Sequence, residues 1–127
     1  MERIYMPLEP FSDDEINQIL ESNDIDALIT LPLSIGEYHH NWKYAQDLCV
    51  RLSEHSDARV RANAILGLTY IARTKGKLEK FVVMPVVLRA LDENKEFEWR
   101  IIDAIDDINL FMKWNIGRNA LNRNTKE

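Results

Sequence analysis

The stretch Asp57–Lys75, DARVRANAILGLTYIARTK, constrains the fold more than any other part of the chain. Val60, Ala64, Leu68 and Ile71 step at four, four and three residues, and Ala58, Ile65 and Ala72 widen the stripe. That spacing puts apolar side chains on one face of a helix. Small residues alternate with large ones, so a second helix can approach closely. Asp57 stands where an N-cap belongs, and Gly76 where a left-handed C-cap costs little. Gly67, inside the helix, costs about 1 kcal/mol relative to alanine, which close packing would justify.

The other segments follow the same period. Ser12 begins a helix, with Glu15 at capping-box spacing and Phe11 placed to pack on Ile16. Ile16, Ile19 and Leu20 form its apolar face, and it ends near Ser22 and Asn23. Asp24 starts a second helix, Ile25–Ile35, with Ile25, Leu28, Ile29, Pro32 and Leu33 on one face and a bend at Pro32. Gly36–Asn41 reads as a turn. Trp42–Glu54 is the third helix, with Ala45, Leu48, Cys49 and Leu52 inside and Asp47 and Arg51 as an i,i+4 pair. After the central helix, Leu78–Leu91 is the fifth, broken at Pro85, with Val82, Val86, Leu88 and Leu91 as core candidates. The sixth runs from about Glu96 to Trp114, with Ile101, Ile105, Ile108 and Met112 inside and Gly117 as its stop. The expected fold is all-α, about six helices in one domain over residues 1–127, with an extended lead-in at 1–11 and a fraying tail at 118–127.

Cys49 is the single cysteine, so no internal disulfide forms, and its apolar stripe suggests a buried thiol. Met1–Pro10 lacks the basic and apolar regions of a signal peptide. The longest apolar run, Phe81–Leu88, is too short for a bilayer. Cytoplasm is the expected compartment, with no membrane partner. Net charge is -5 and uneven. Residues 1–60 carry 12 acidic and 4 basic side chains, and residues 61–127 carry 9 and 12. An acidic front half is a poor match for nucleic acid; it suits a basic protein, or is simply a solvated acidic surface. Arg59, Arg61, Arg73, Lys75, Lys77 and Lys80 are the residues a nucleic-acid groove would draw on.

Candidate sites are few. Asp103, Asp106 and Asp107 share a helical face. They suit a basic partner or simple solvation, and they are too few for a hard-cation cage. His39 and His40 are adjacent and cannot easily point the same way unless the turn bends. With His55 they lack zinc-ligand spacing. No nucleophile–base pair and no phosphate loop has a local signature, so no enzyme, cofactor or metal is expected. Tyr38, Trp42 and Tyr44 cluster near the turn between the second and third helices; core packing is the default for Trp42, and if exposed these aromatics, ringed by Glu37 and Asp47, would anchor a partner. Trp99, close to the three aspartates, is a similar case.

Two stretches register at an offset of 39 residues: Leu48 on Val87, Leu52 on Leu91, Val60 on Trp99 and Arg61 on Arg100. A period near 40 with two helices per unit is the mark of a helical solenoid, although an irregular bundle gives some of the same matches. The segment Asp57-Ala58-Arg59-Val60-Arg61, with Ala64 and Leu66-Gly67, resembles HEAT-repeat proteins. That resemblance implies an aspartate that satisfies turn amides and an arginine that pairs along the stack, here Asp57 and Arg61. The next unit keeps only Arg100, with Glu96 and Trp99 in the other places. A narrower resemblance rests on Trp42 with Gln46–Cys49, on His55–Arg61 and on Asp103–Ile108. These resemble small bacterial HEAT-like proteins encoded beside polymorphic toxins. The resemblance implies an immunity protein, or an accessory binding partner of a toxin, and the expected function is stoichiometric neutralisation of a cognate toxin; the acidic charge makes a basic toxin domain the expected partner. Expected partner-binding residues are Glu37, Tyr38, Trp42, Asp47, Trp99, Asp103, Asp106 and Asp107. A regulatory adaptor, a nucleic-acid-binding HEAT-like protein and an enzyme are the alternatives, and homodimerisation through the end units stays open.

Overall fold

Capping chemistry sets the helix starts in the computed structural model, which describes residues 8–117. Ser12 and Glu15 form the reciprocal capping box of α1 (Asp13–Ser22). Asp24 caps α2 (Ile25–Tyr38), Asn41 caps α3 (Trp42–Leu52) and Asp57 caps α4 (Ala58–Lys75) through side-chain oxygens. Then come α5 (Lys80–Glu93), a 3-10 turn at Lys95–Phe97 and α6 (Glu98–Met112). The fold is all-α, with no strand among the described residues. Residues Met1–Pro7 of the lead-in and the whole expected tail lie outside the described residues; Leu8–Phe11 are non-helical, and Phe11 packs on the core.

The helix α4 is the centre of the molecule, packed on α2, α3 and α6. It is buried nearly all round, including Ala62, Asn63 and Thr69. The single apolar stripe read from its sequence is thus only part of what it buries. The order α2, α4, α6 runs side by side, with α1, α3 and α5 packed against it, so three successive helix pairs share one core. Polar side chains on α4 peg it to its neighbours. Asn63 Nδ2 donates to the Ile29 carbonyl at 2.7 Å, Thr74 Oγ1 to the Gly36 carbonyl at 3.0 Å, and Thr69 Oγ1 to the Ala104 carbonyl at 3.1 Å. A buried hydroxyl or amide is tolerated only when so paired.

Several expectations change. Gly36 does not open a turn: α2 runs through it to Tyr38 because Gly36 lies against Gly67, where the two helix backbones cross. This crossing turns the α2 face, so Leu31, Ser34 and Ile35 are buried and Leu33 only half-buried. Neither proline ends its helix. Pro32 is buried inside α2, and the Asn63 amide bonds to the carbonyl one residue past the one Pro32 leaves without a donor. Pro85 lies on the exposed side of α5, so that helix is continuous. Val82 is exposed, and Val83 and Val87 fill the core instead. Asp47 pairs with Lys43 rather than Arg51. The buried sets also move the repeat register. Ala45, Leu48, Cys49 and Leu52 match Val83, Val86, Val87 and Ala90, while Val60, Asn63, Ala64 and Gly67 match Ile101, Ala104, Ile105 and Ile108. Trp99 is therefore not the counterpart of Val60.

Turns are tied to turns along the stack. His55 Nδ1 accepts from the Asp57 amide, leaving Nε2–H to donate to Asn23 Oδ1 at 2.9 Å. Arg61 donates to the His55 and Ser56 carbonyls and, through Nε, to Asn94 Oδ1 at 2.8 Å. Asp57 accepts the Arg59 amide and guanidinium, which holds its carboxyl down at about 2. On the opposite edge, buried Gln46 accepts the Glu79 amide at 2.7 Å and so supplies the cap that α5 lacks locally. The helix α6 stops at Met112, earlier than expected. Lys113 takes a left-handed conformation, and Asn109 clamps the Ile116 backbone in both directions.

Candidate functional site

The last helix turns two unlike faces to its surroundings. Ile101, Ala104, Ile105 and Ile108 are buried. The opposite face carries Trp99, Asp103, Asp106 and Leu110, spaced at four, three and four residues, with Asp107 and Phe111 beside them. Trp99 is 76% exposed and Leu110 70%. Both are large apolar side chains left open to solvent, and the carboxylates stand between them.

Among the described residues no basic side chain lies within ion-pair distance of Asp103, Asp106 or Asp107. Arg100, three residues before Asp103, instead lies over the Phe97 ring at 5.2 Å. Partial burial pushes the Asp106 carboxyl up, and the neighbouring charges of Asp103 and Asp107 add to the rise.

The other expected site residues are committed inside the fold. Glu37 pairs with Arg73, whose guanidinium lies over Tyr70. Tyr38 is 46% exposed, but its hydroxyl donates to the Leu8 carbonyl at 3.0 Å. Trp42 is half-buried against the core. Asp47 shares Lys43 with Glu79, at 3.1 Å and 2.7 Å. Those two carboxylates raise the Lys43 ammonium, Glu79 the more strongly, and Glu79 is lowered by Lys43 and then Gln46. The eight residues do not form one cluster: Glu37 and Tyr38 end α2, Trp42 and Asp47 lie on α3, and α6 packs on α4 and α5.

Of the basic residues considered for nucleic acid, Arg59, Arg61 and Arg73 are spent on Asp57, on the turns and on Glu37. His39 and His55 are turn pegs. His39 Nδ1 accepts from the Asn41 amide and its Nε2 reaches Asp13 at 3.1 Å. The turn does bend, so His39 stacks on both His40 and Tyr44. Burial pushes the Cys49 thiol up to about 12, which keeps it protonated. No group of His, Cys, Asp and Glu among the described residues is placed to hold a metal, and no described helix is long and apolar enough to cross a membrane. Sequence reasoning stopped the α6 surface at Asp107. Leu110, one more turn along, was legible from the same period.

Known proteins add one kind of information. No protein-family model matches the chain, and no curated protein does. Among solved structures, it resembles a chain of the CDI complex from Cupriavidus taiwanensis LMG 19424, with a TM-score of 0.74 and 21% identity. The match covers 87% of this chain and 98% of that one. At that identity the likeness is one of fold.

Proposed function

We propose that this chain is the immunity member of a toxin–immunity pair: it binds a cognate toxin domain one to one and blocks it without turnover. The observation that carries this reading is the fold likeness across 98% of a chain from a CDI complex, CDI being contact-dependent inhibition by a toxin that meets its immunity protein. The likeness agrees with the resemblance of the His55–Arg61 and Asp103–Ile108 segments to toxin-associated HEAT-like proteins. Inhibition by occupancy requires a complementary patch of standard size and no catalytic group. The net charge of -5 favours a basic toxin, because opposite charge speeds encounter and sets orientation. The chain would act in the cytoplasm, where an incoming toxin reaches its target.

Co-production with each toxin domain that sequencing of the neighbouring genes identifies tests the reading. The expected result is restored growth with one toxin, together with a one-to-one complex by light scattering after gel filtration. Death of cells that hold stable, folded chain in excess of each toxin would overturn it. So would rescue at far below equimolar amounts, which requires turnover. The same elution reports whether the free chain is a monomer or a homodimer.

A further inference from the structure

The outer face of α6 has a length, a charge and an apolar content that together define what covers it. From Trp99 to Leu110 is eleven residues, or roughly 16 Å of helix. Apolar groups stand at both ends, and the three carboxylates lie between. Arg100, the nearest cation in sequence, is turned onto Phe97. Among the described residues, then, no cation pairs with these carboxylates, on a helix already crowded with negative charge.

We propose that this face docks a cationic, amphipathic protein surface: apolar anchors about 16 Å apart seat on Trp99 and Leu110, and lysine or arginine between them meets Asp103, Asp106 and Asp107. The toxin reading supplies the identity of this partner; the chemistry of the face stands without it. Charge complementarity selects the occupant. An anionic lipid surface or a nucleic acid is repelled by three carboxylates. Another exposed apolar group, Phe81 at 84% with Val82, lies at the start of α5 beside exposed Lys77 and Lys80, and so it disfavours a cation. A second copy of the chain could offer that basic group to α6, and self-association is therefore one of the outcomes measured.

The probe is a synthetic helix of about sixteen residues, with leucines at i, i+4, i+7 and i+11 and lysines elsewhere, titrated into the full chain by calorimetry. Binding is expected at about 0.05 M salt and should fall at least tenfold at about 0.5 M. Loss of roughly tenfold or more is also expected in the triple variant D103N/D106N/D107N and in Trp99→Ala, with Phe81→Ser unchanged. These positions are exposed, and circular dichroism checks each fold. Absence of binding, equal affinity of the triple variant, or loss in Phe81→Ser instead would overturn the proposal. So would concentration-dependent dimerisation of the free chain that Trp99→Ala abolishes. The two readings separate cleanly. Peptide bound on α6 with no toxin neutralised leaves the surface and removes the toxin, whereas a toxin neutralised equally by the triple variant and Trp99→Ala removes the surface.

Discussion

Gly67→Ala sets two effects of opposite sign against each other at the centre of the molecule. Alanine gains about 1 kcal/mol over glycine inside a helix. Against this, a Cβ at Gly67 would lie 2.7 Å from the Pro32 carbonyl oxygen and 2.8 Å from Cys49 Sγ. The first is helix backbone and cannot rotate away, so α2 must move off α4. Overpacking of this kind costs roughly 1–3 kcal/mol, and two simultaneous overlaps place it at the upper end. The net loss is about 2 kcal/mol. At this chain length that is a fall in Tm of roughly 6–10 °C. Urea unfolding followed by circular dichroism measures it, with the slope unchanged. Cys49→Ala in the Gly67→Ala background removes one overlap and should recover part of the loss that Gly67→Ala causes in the wild type. Gly36→Ala meets the Gly67 carbonyl oxygen at 2.5 Å and should be at least as harmful. Because both glycines separate the same backbones, the double variant should lose less than the sum. A Gly67→Ala protein equal to or more stable than wild type would refute the reasoning, since propensity would then have won over contact.

Gln46→Ala leaves the Glu79 amide without its cap and opens a void in the α3–α5 edge, with an expected loss of about 2–3 kcal/mol in the same unfolding assay. Gln46→Glu keeps the acceptor but sets a second carboxylate beside Glu79 in place of the 2.8 Å donor, and should be no better than alanine. Asp57 is held at about 2 in the folded chain against an ordinary 3.8. Its contribution is therefore complete above about pH 4 and is lost as the pH falls through 2. In Asp57→Asn the melting temperature should fall less steeply than in wild type between pH 4 and 2, and parallel curves would rule out this carboxylate as a source of acid sensitivity.

Local chemistry was legible in the sequence, and meetings between distant residues were not. The Ser12–Glu15 box, the Asp24 and Asp57 caps and the Gly76 stop depend on neighbours within four residues, and each stands where its spacing puts it. Gly36 looks like a turn because glycine usually marks one; only the approach of Gly67 shows that it is a crossing point. Pro32 and Pro85 interrupt a hydrogen bond but not a helix held by its packing. The 39-residue register matched Val60 to Trp99 because both follow an acidic residue by three. Burial, which the string of letters does not carry, separates them completely. For the α6 surface, the period alone placed the aspartates together. The turn of Arg100 onto Phe97, the residue that ends the 3-10 entry to the helix, could not be read from the letters.

The two faces of α6 answer to different demands, and they share almost no side chain. Ile101, Ala104, Ile105 and Ile108 are held by α4 and α5, and a change there opens a cavity or forces an overlap. Trp99, Asp103, Asp106, Asp107 and Leu110 support nothing beneath them, so substitutions at these five positions should shift stability by no more than about 0.5 kcal/mol. Asp106→Asn should even raise the melting temperature at neutral pH, because its folded carboxyl binds a proton more readily than in the unfolded chain and its charge works against folding. That gain should fade as the pH falls and the wild-type carboxyl takes up its proton. At Asp106, a crowded charge that works against the fold is accounted for if the energy is recovered when a cation docks.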